Sequence, residues 1–275
     1  MLAYRHGFHA GNFADVMKHV ALVSMLRYMT QKDAPLCYVD THAGAGDYDL
    51  TSDAAAKTGE YDTGIARIRD ADDAPGAVAD YLDLVRACNS GNALAKYPGS
   101  PRLAAMLLRP QDRLMLCELH SSDFALLKKT FANDRRVHCH AEDGYRFSVG
   151  LVPPRERRGL IVIDPSYELK DEYRSALAAL DRLQRRFATG VYVLWYPLLV
   201  GRQDDDLRRR LDAMETGKVL RFELTVSDRD ATRGMYGCGM LVINPPWTLR
   251  DAMADALPWL ASRLGRNSGA GFRMA

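Results

Sequence analysis

The sequence predicts an α/β fold: a seven-stranded, mostly parallel sheet between helical layers, with one antiparallel strand from a C-terminal hairpin. Three observations predict it. Seven short apolar segments read as strands: LCYVD (36–40), RLMLCE (113–118), VHCHAE (137–142), GLIVID (159–164), VYVLWY (191–196), LRFELTV (220–226) and GMLVIN (239–244). Helical periodicity separates most of them, and alternating strands and helices build a parallel sheet covered on both faces. The last two strands are joined instead by the polar SDRDATRGMYGC. They therefore read as a hairpin, which makes one of them antiparallel.

Ahead of the first strand, Asn12 and Asp15 form a capping box for a helix running to about Lys32. About seventy residues separate the first two strands, where a plain crossover needs only about ten to twenty. Residues 47–97 hold two helical stretches, around 60–71 and 76–88, parted by DADDAPG. They read as a small helical insertion subdomain at the C-terminal edge of the sheet, where insertions shape substrate access. The main domain is then 1–46 with 98–265, and residues 266–275 are expected to be a mobile tail. In GLIVID four consecutive aliphatics, Leu160 to Ile163, indicate a strand buried on both faces. The helix that follows shows one apolar face through Tyr173, Leu177, Leu180, Leu183 and Phe187, with Asp171 as its cap and Gly190 at its exit.

Composition narrows the partners. With 275 residues, 47% hydrophobic and 26% charged, the chain can bury one large core. A net charge of +2 permits a nucleic-acid partner without requiring one. Three arginine clusters (Arg155, Arg157, Arg158; Arg182, Arg185, Arg186; Arg208 to Arg210) each suit a solvated face, and together keep a phosphate-binding face open. Five scattered cysteines without a CxxC pair suggest no disulfide framework. No run is long and apolar enough for a membrane, and the N-terminal MLAYRHGFHAGN has no apolar leader. A cytoplasmic monomer without a membrane partner is expected.

The chemistry gathers where strands end. The first strand runs into DTHAGAGDYDL (40–50), where Gly44 and Gly46 let backbone approach a ligand. A lone GxG also suits a structural turn, and Asp49 stands where the dinucleotide fingerprint needs its third glycine. The second strand ends in Glu118, placed to accept hydrogen bonds from both hydroxyls of a ribose. The third ends at Asp143, placed for the amino group of an adenine, and the fourth delivers Asp164. Each acid alone suits a helix cap or surface charge; four successive strands with acids along one edge point to a site.

Asp164-Pro165-Ser166-Tyr167 resembles the [Asp/Asn]-Pro-Pro-aromatic tetrad of amino-group methyltransferases, with Ser166 in place of the second proline. YRHGFHAGNFADVMKH (4–19), DTHAGAG (40–46), YPGSP (97–101) and LWYP (194–197) are more specific still. Together they resemble the bacterial 23S ribosomal RNA adenine-N6 methyltransferase family, type J, which modifies adenine 2030. The resemblance covers nearly the whole chain. It implies a Rossmann-like class I methyltransferase fold, S-adenosylmethionine as cofactor, no metal, and 23S rRNA as substrate, naked or in an early assembly intermediate. It places His19 and His42 in the cofactor pocket and Ser100 at a helix N-terminus, where free amides suit the cofactor's carboxylate. Glu118 would hold the ribose, and Asp143 with Gly144 the cofactor adenine. Asp164 and the Pro165 carbonyl would bind the target amino group, and Tyr167 would stack on the target ring. Tyr4 would meet the RNA and Lys18 would help position substrate or cofactor.

Other motifs are weaker. Asn244-Pro245-Pro246-Trp247 matches the tetrad better than 164–167 does, but follows the seventh strand. If that strand is antiparallel, it ends at the edge away from the cofactor, so the motif reads as a structural turn with Trp247 packed. His138 and His140 share a strand face without a third ligand nearby, and His6 and His9 read as RNA-facing or packing residues. Rival readings are a DNA adenine-N6 methyltransferase, opposed by the lack of a target-recognition domain, and a catalytically inert RNA-binding protein, opposed by Asp164 and Tyr167. A nucleotide-dependent oxidoreductase is opposed by the missing glycine.

Overall fold

The polar residues that begin the first helix define where it starts. The computed structural model describes residues 5–91, 93–169, 171–200, 207, 209–210, 218–229 and 234–275. In it Asn12 Oδ1 accepts hydrogen bonds from the amides of Ala14 and Asp15 at 2.9 and 3.0 Å. These open α1 (Phe13–Met29), which ends short of Lys32 at Thr30, whose hydroxyl donates to the Leu26 carbonyl at 2.8 Å. After β1 (Cys37–Asp40), the insertion forms β2 (Asp47–Asp49), α2 (Asp53–Thr58), α3 (Gly76–Ala87) and β3 (Lys96–Pro98). Beyond α4 (Ser100–Leu107) come β4 (Arg113–Cys117), α5 (Ser121–Thr130), β5 (Val137–His140) and α6 (Gly144–Leu151). Then follow β6 (Gly159–Ile163), α7 (Glu172–Arg186) and β7 (Val191–Leu199). The chain closes with β8 (Val219–Thr225), β9 (Met235–Ile243), α8 (Leu249–Leu264) and β10 (Gly271–Met274).

The sheet order is β10-β8-β9-β7-β6-β1-β4-β5. The pairs β1–β4, β1–β6, β4–β5 and β6–β7 are parallel. β9 slots between β7 and β8, antiparallel to both. β8 thus keeps the parallel direction, and the expected mostly parallel sheet with an antiparallel hairpin strand is present. The all-buried pattern of Leu160 to Ile163 follows from β6 lying inside the sheet, between β1 and β7. Because β1, β4, β5 and β6 share one direction, Asp40, Glu118, Asp143 and Asp164 all emerge at one edge.

Several expectations change. The tail expected to be mobile forms β10, an eighth strand that pairs antiparallel with β8 through Phe272↔Leu224 and Met274↔Phe222. Open backbone donors and acceptors on an edge strand favour such pairing over a free tail. The insertion carries no core of its own: Ile65, Ile68, Val78, Tyr81, Leu82 and Val85 join the same buried cluster as Met17, Val20 and Ala21 of α1. Two short helices cannot bury enough apolar surface by themselves, so they share the core of the main domain. Asp171 precedes α7 without a side-chain capping bond.

The motif at 244–247 falls at the end of antiparallel β9, away from the acids. Asn244 adopts φ 54° and its Nδ2 donates to the Ala188 and Gly190 carbonyls, both at 2.8 Å, which fixes a turn. Trp247 does not pack as expected. It is 74% exposed, touching Tyr28 edge-on at 6.3 Å, because the two prolines carry the chain outward before α8 begins.

Removing residues 271–275 should strip the β10 ladder from β8. We expect a loss of roughly 1–2 kcal/mol, about 2–6 °C in Tm, measured by calorimetry on the full and shortened chains.

Candidate active site

The first cleft, of about 310 Å3, opens at the acid-bearing edge between the loops after β1, β4, β5 and β6. Its walls demand glycine at two points. Gly44 sits at φ +60°, and a Cβ there would lie 2.1 Å from the Tyr48 hydroxyl; a Cβ on Gly144 would lie 1.9 Å from the Thr41 carbonyl oxygen. The Gly44 amide donates to Glu118 Oε2 at 2.8 Å and the His120 amide to Oε1 at 2.7 Å. Both Glu118 oxygens are thus held by backbone, while burial raises its pKa. Asp143 caps α6 by accepting from the Tyr145 amide at 2.9 Å, and also lines the cleft. The cap reading and the ligand reading of this residue are therefore compatible. His42 faces Tyr145 with ring centroids 4.8 Å apart, and burial lowers its pKa to about 4, so its imidazole is neutral.

His19, Ser100 and Gly46 line neither this cleft nor its neighbour. The Ser100 hydroxyl donates to Asp40 Oδ2 at 2.7 Å, and Asp40 also accepts from the Tyr38 hydroxyl at 2.7 Å. Ser100 thus ties α4 to the end of β1. His19 Nδ1 meets the Tyr97 hydroxyl at 2.8 Å; burial lowers its pKa to about 3 and leaves Nε2 without a protein partner. Gly46, at φ +82°, accepts from the Gly99 amide at 2.9 Å. These three build the cleft from behind.

A second cleft, of about 500 Å3, meets the first at His6, Asp164 and Ser166, which line both. Its floor is α1. Lys18 Nζ lies 2.5 Å from Asp164 Oδ2 and 2.9 Å from Asp15 Oδ1. Asp15 Oδ2 in turn meets His6 Nε2 at 2.8 Å and accepts from the Gly11 amide at 2.9 Å. Burial opposes both charges, but the Asp15 and Asp164 carboxylates outweigh it at Lys18 and hold its pKa well above the ordinary value. At Asp15, His6 and Lys18 likewise outweigh burial and hold the carboxyl well below the usual range.

Pro165, Tyr167 and Trp195 wall this second cleft. Tyr167 takes φ +55°, an uncommon conformation for a bulky residue. Its hydroxyl donates to the Trp195 carbonyl at 2.7 Å and its ring lies 4.4 Å from that of Tyr173. Ser166, which frees a dihedral that proline would fix, is tied back by a long contact to Glu172 Oε2 at 3.4 Å. The structure thus brings His42, Gly44, Glu118, Asp143 and Gly144 to one cleft, Lys18, Pro165 and Tyr167 to the other, and Asp164 to both. Tyr4 lies outside the described residues. Asp15, read from sequence only as a cap, and His6, read only as packing or RNA-facing, prove to be parts of the site. The available signal was three ionisable residues, Asp15, Lys18 and His19, within about one turn of the buried N-terminal half of α1.

The residues fit a nucleoside: a backbone-held carboxylate for a diol, an acid for a ring amine, and backbone approaches that a Cβ would fill. A mostly parallel sheet with a ligand cleft at the carboxyl ends of its strands is the arrangement of nucleotide-binding α/β proteins. The family described as "Ribosomal RNA large subunit methyltransferase D, RlmJ" matches residues 33–274. Ribosomal RNA large subunit methyltransferase J of Escherichia coli (strain K12) is 46% identical over 264 residues, 96% of this chain and 94% of that protein. Its counterpart from Haemophilus influenzae is 44% identical over 265 residues, with the same coverage. A crystal structure of a protein from Legionella pneumophila matches with TM-score 0.89 at 37% identity, covering 97% of this chain and 98% of that one. The chain belongs to the ribosomal RNA large subunit methyltransferase J family.

His19 and His42 titrate at about 3 and about 4 in the fold, against 6.5 ordinarily. Between these values the unfolded chain binds more protons, so stability rises with pH across that window and is fully present above 6.5. Denaturant unfolding at a series of pH values should show stability falling on acidification below about 6.5, and His19→Gln should flatten the slope.

Proposed function

We propose that this protein transfers the methyl group of S-adenosylmethionine to N6 of adenine 2030 in 23S ribosomal RNA, acting as a cytoplasmic monomer on naked rRNA or an early assembly intermediate. The observation that carries the reading is the junction at Asp164, where an acid-lined cleft meets a second, aromatic-walled cleft. The rRNA methyltransferase names of the Escherichia coli and Haemophilus influenzae relatives support the substrate class.

When bound, S-adenosylmethionine supplies an electrophilic methyl group on a positively charged sulfur. Glu118 would accept hydrogen bonds from the ribose hydroxyls, Asp143 would accept one from the cofactor's adenine amine, and neutral His42 would pack beside them without adding charge. The target adenine leaves its stack to enter the second cleft, where Tyr167 and Trp195 offer aromatic surface; such stacking contributes about 1–3 kcal/mol per base.

An adenine amino group is a poor nucleophile because its lone pair is delocalised into the ring. Asp164 and the Pro165 carbonyl accept its two N–H bonds, which favours a pyramidal nitrogen with a localised lone pair aimed at the first cleft. With Oδ2 held by Lys18, Asp164 offers Oδ1 to the substrate. Displacement is then dominated by positioning, and Asp164 or water takes the proton as positive charge develops on nitrogen. Asp15 offsets the charge of Lys18, so the floor of the site does not repel that developing cation.

The test is transfer of labelled methyl to unmodified 23S rRNA, with duplex DNA and an Asp164→Ala enzyme alongside. We expect N6-methyladenine at one site in RNA, none in DNA, and a loss of about 100-fold or more in Asp164→Ala with cofactor binding retained. Cofactor binding without label in any RNA would overturn the reading; label in DNA instead would support the DNA methyltransferase.

A further inference from the structure

We infer that Arg266, in the loop between α8 and β10, binds a backbone phosphate of the substrate strand beside the flipped adenine. This rests on the function proposed above and adds the residue that holds the strand. Arg266 lines the second cleft. Its guanidinium lies 5.5 Å over the ring of Phe13, the first residue of α1, and its Nη2 donates to Thr63 Oγ1 at 3.3 Å. Its backbone amide donates to the Val226 carbonyl at 2.7 Å. The following turn is tied down where Asn267 Oδ1 accepts from the Asp228 and Gly269 amides at 2.9 and 3.0 Å. The side chain is exposed yet fixed at both ends, which lowers the entropy lost when it closes on a ligand.

Charge balance marks it out from the other basic groups of the same cleft. Lys18 is held by Asp15 and Asp164, His6 meets Asp15, and His9 meets Glu60 at 2.8 Å. Arg266 has no carboxylate partner among the described residues. A planar guanidinium with open N–H groups matches the fork geometry of a phosphate.

Its position matches too. Five residues at a rise of 1.5 Å place Phe13 about 7.5 Å along α1 from Lys18, on the order of the span of a base and its ribose. Asp164 and Arg266 line the same cleft, so a phosphate flanking a nucleotide whose amino group sits at Asp164 would come within reach of the guanidinium over Phe13.

The experiment uses an RNA stem-loop containing the target adenosine, made with a neutral methylphosphonate linkage 5′ or 3′ of it. For the wild-type enzyme one of these linkages should raise KM for RNA about tenfold. Arg266→Met keeps an apolar stem over Phe13 and removes the charge. It should raise KM for the natural RNA by a similar factor, lower the salt slope of binding by about one, and become insensitive to the linkage. Arg155→Met, which removes a 77% exposed charge at the other end of the sheet, is the control and should change neither KM nor slope. If the wild type is indifferent to both linkages the inference fails, even if Arg266→Met does not fold. It also fails if Arg266→Met keeps the wild-type KM and slope, or if Arg155→Met loses as much. Absence of methyl transfer by the wild type to any RNA would instead sink the proposed function.

Discussion

Everything at the site depends on one buried ionic chain, Asp15–Lys18–Asp164, with His6 and the Gly11 amide closing its far end. Lys18 and Asp15 have side chains only 8% and 2% exposed, so neither charge would persist without the other. Breaking a buried pair by removing one partner typically costs about 3–5 kcal/mol, because the remaining charge is left without solvent. The geometry adds a constraint. Two of the three residues sit one turn apart on α1, so their separation is set by the helix, and the third is delivered by β6 from 146 residues away. The chain therefore welds the N-terminal segment, the first helix and the central strand into one frame, and that frame orients the carboxylate where the two clefts meet.

A second constraint is steric. The loop after β1 and the start of α6 approach so closely that Gly144 has no room for a Cβ, and Gly44 needs both a left-handed backbone and the space beneath Tyr48. These contacts bring the loops after β1 and β5 together, and the Gly44 and His120 amides hold Glu118. The cleft owes its shape to backbone, which lets a few acids act without competing for one another's partners.

The second cleft draws on the N-terminal segment, α1, the insertion through Glu60, the loop after β6, β7 through Trp195, and the ordered tail through Arg266. Segments that looked peripheral along the chain, the insertion and the tail, are packed against α1 and reach this cleft. Under the proposed function, such convergence would bring the groups that hold the RNA strand to the same cleft as Asp164.

By itself the sequence determined the sheet and its acidic edge. The apolar run Leu160 to Ile163 reads as a buried strand, the glycines at 44 and 46 mark close backbone approach after the first strand, and the polar link between the last two strands reads as a hairpin rather than a crossover. Pairing of charges was decided only in three dimensions. Asp15 satisfies a helix-cap pattern locally, and its role toward Lys18 and His6 depends on where α1 lies relative to β6. His19 and Ser100 line neither cleft: His19 Nδ1 is engaged by the Tyr97 hydroxyl and the Ser100 hydroxyl by Asp40. Tail residues became strand β10 because β8 presents an open edge, and Trp247, apolar and expected inside, was left in solvent by two prolines. Local pattern specifies periodicity, caps and turns; which polar groups meet depends on packing between segments far apart in the chain, and no local rule encodes that.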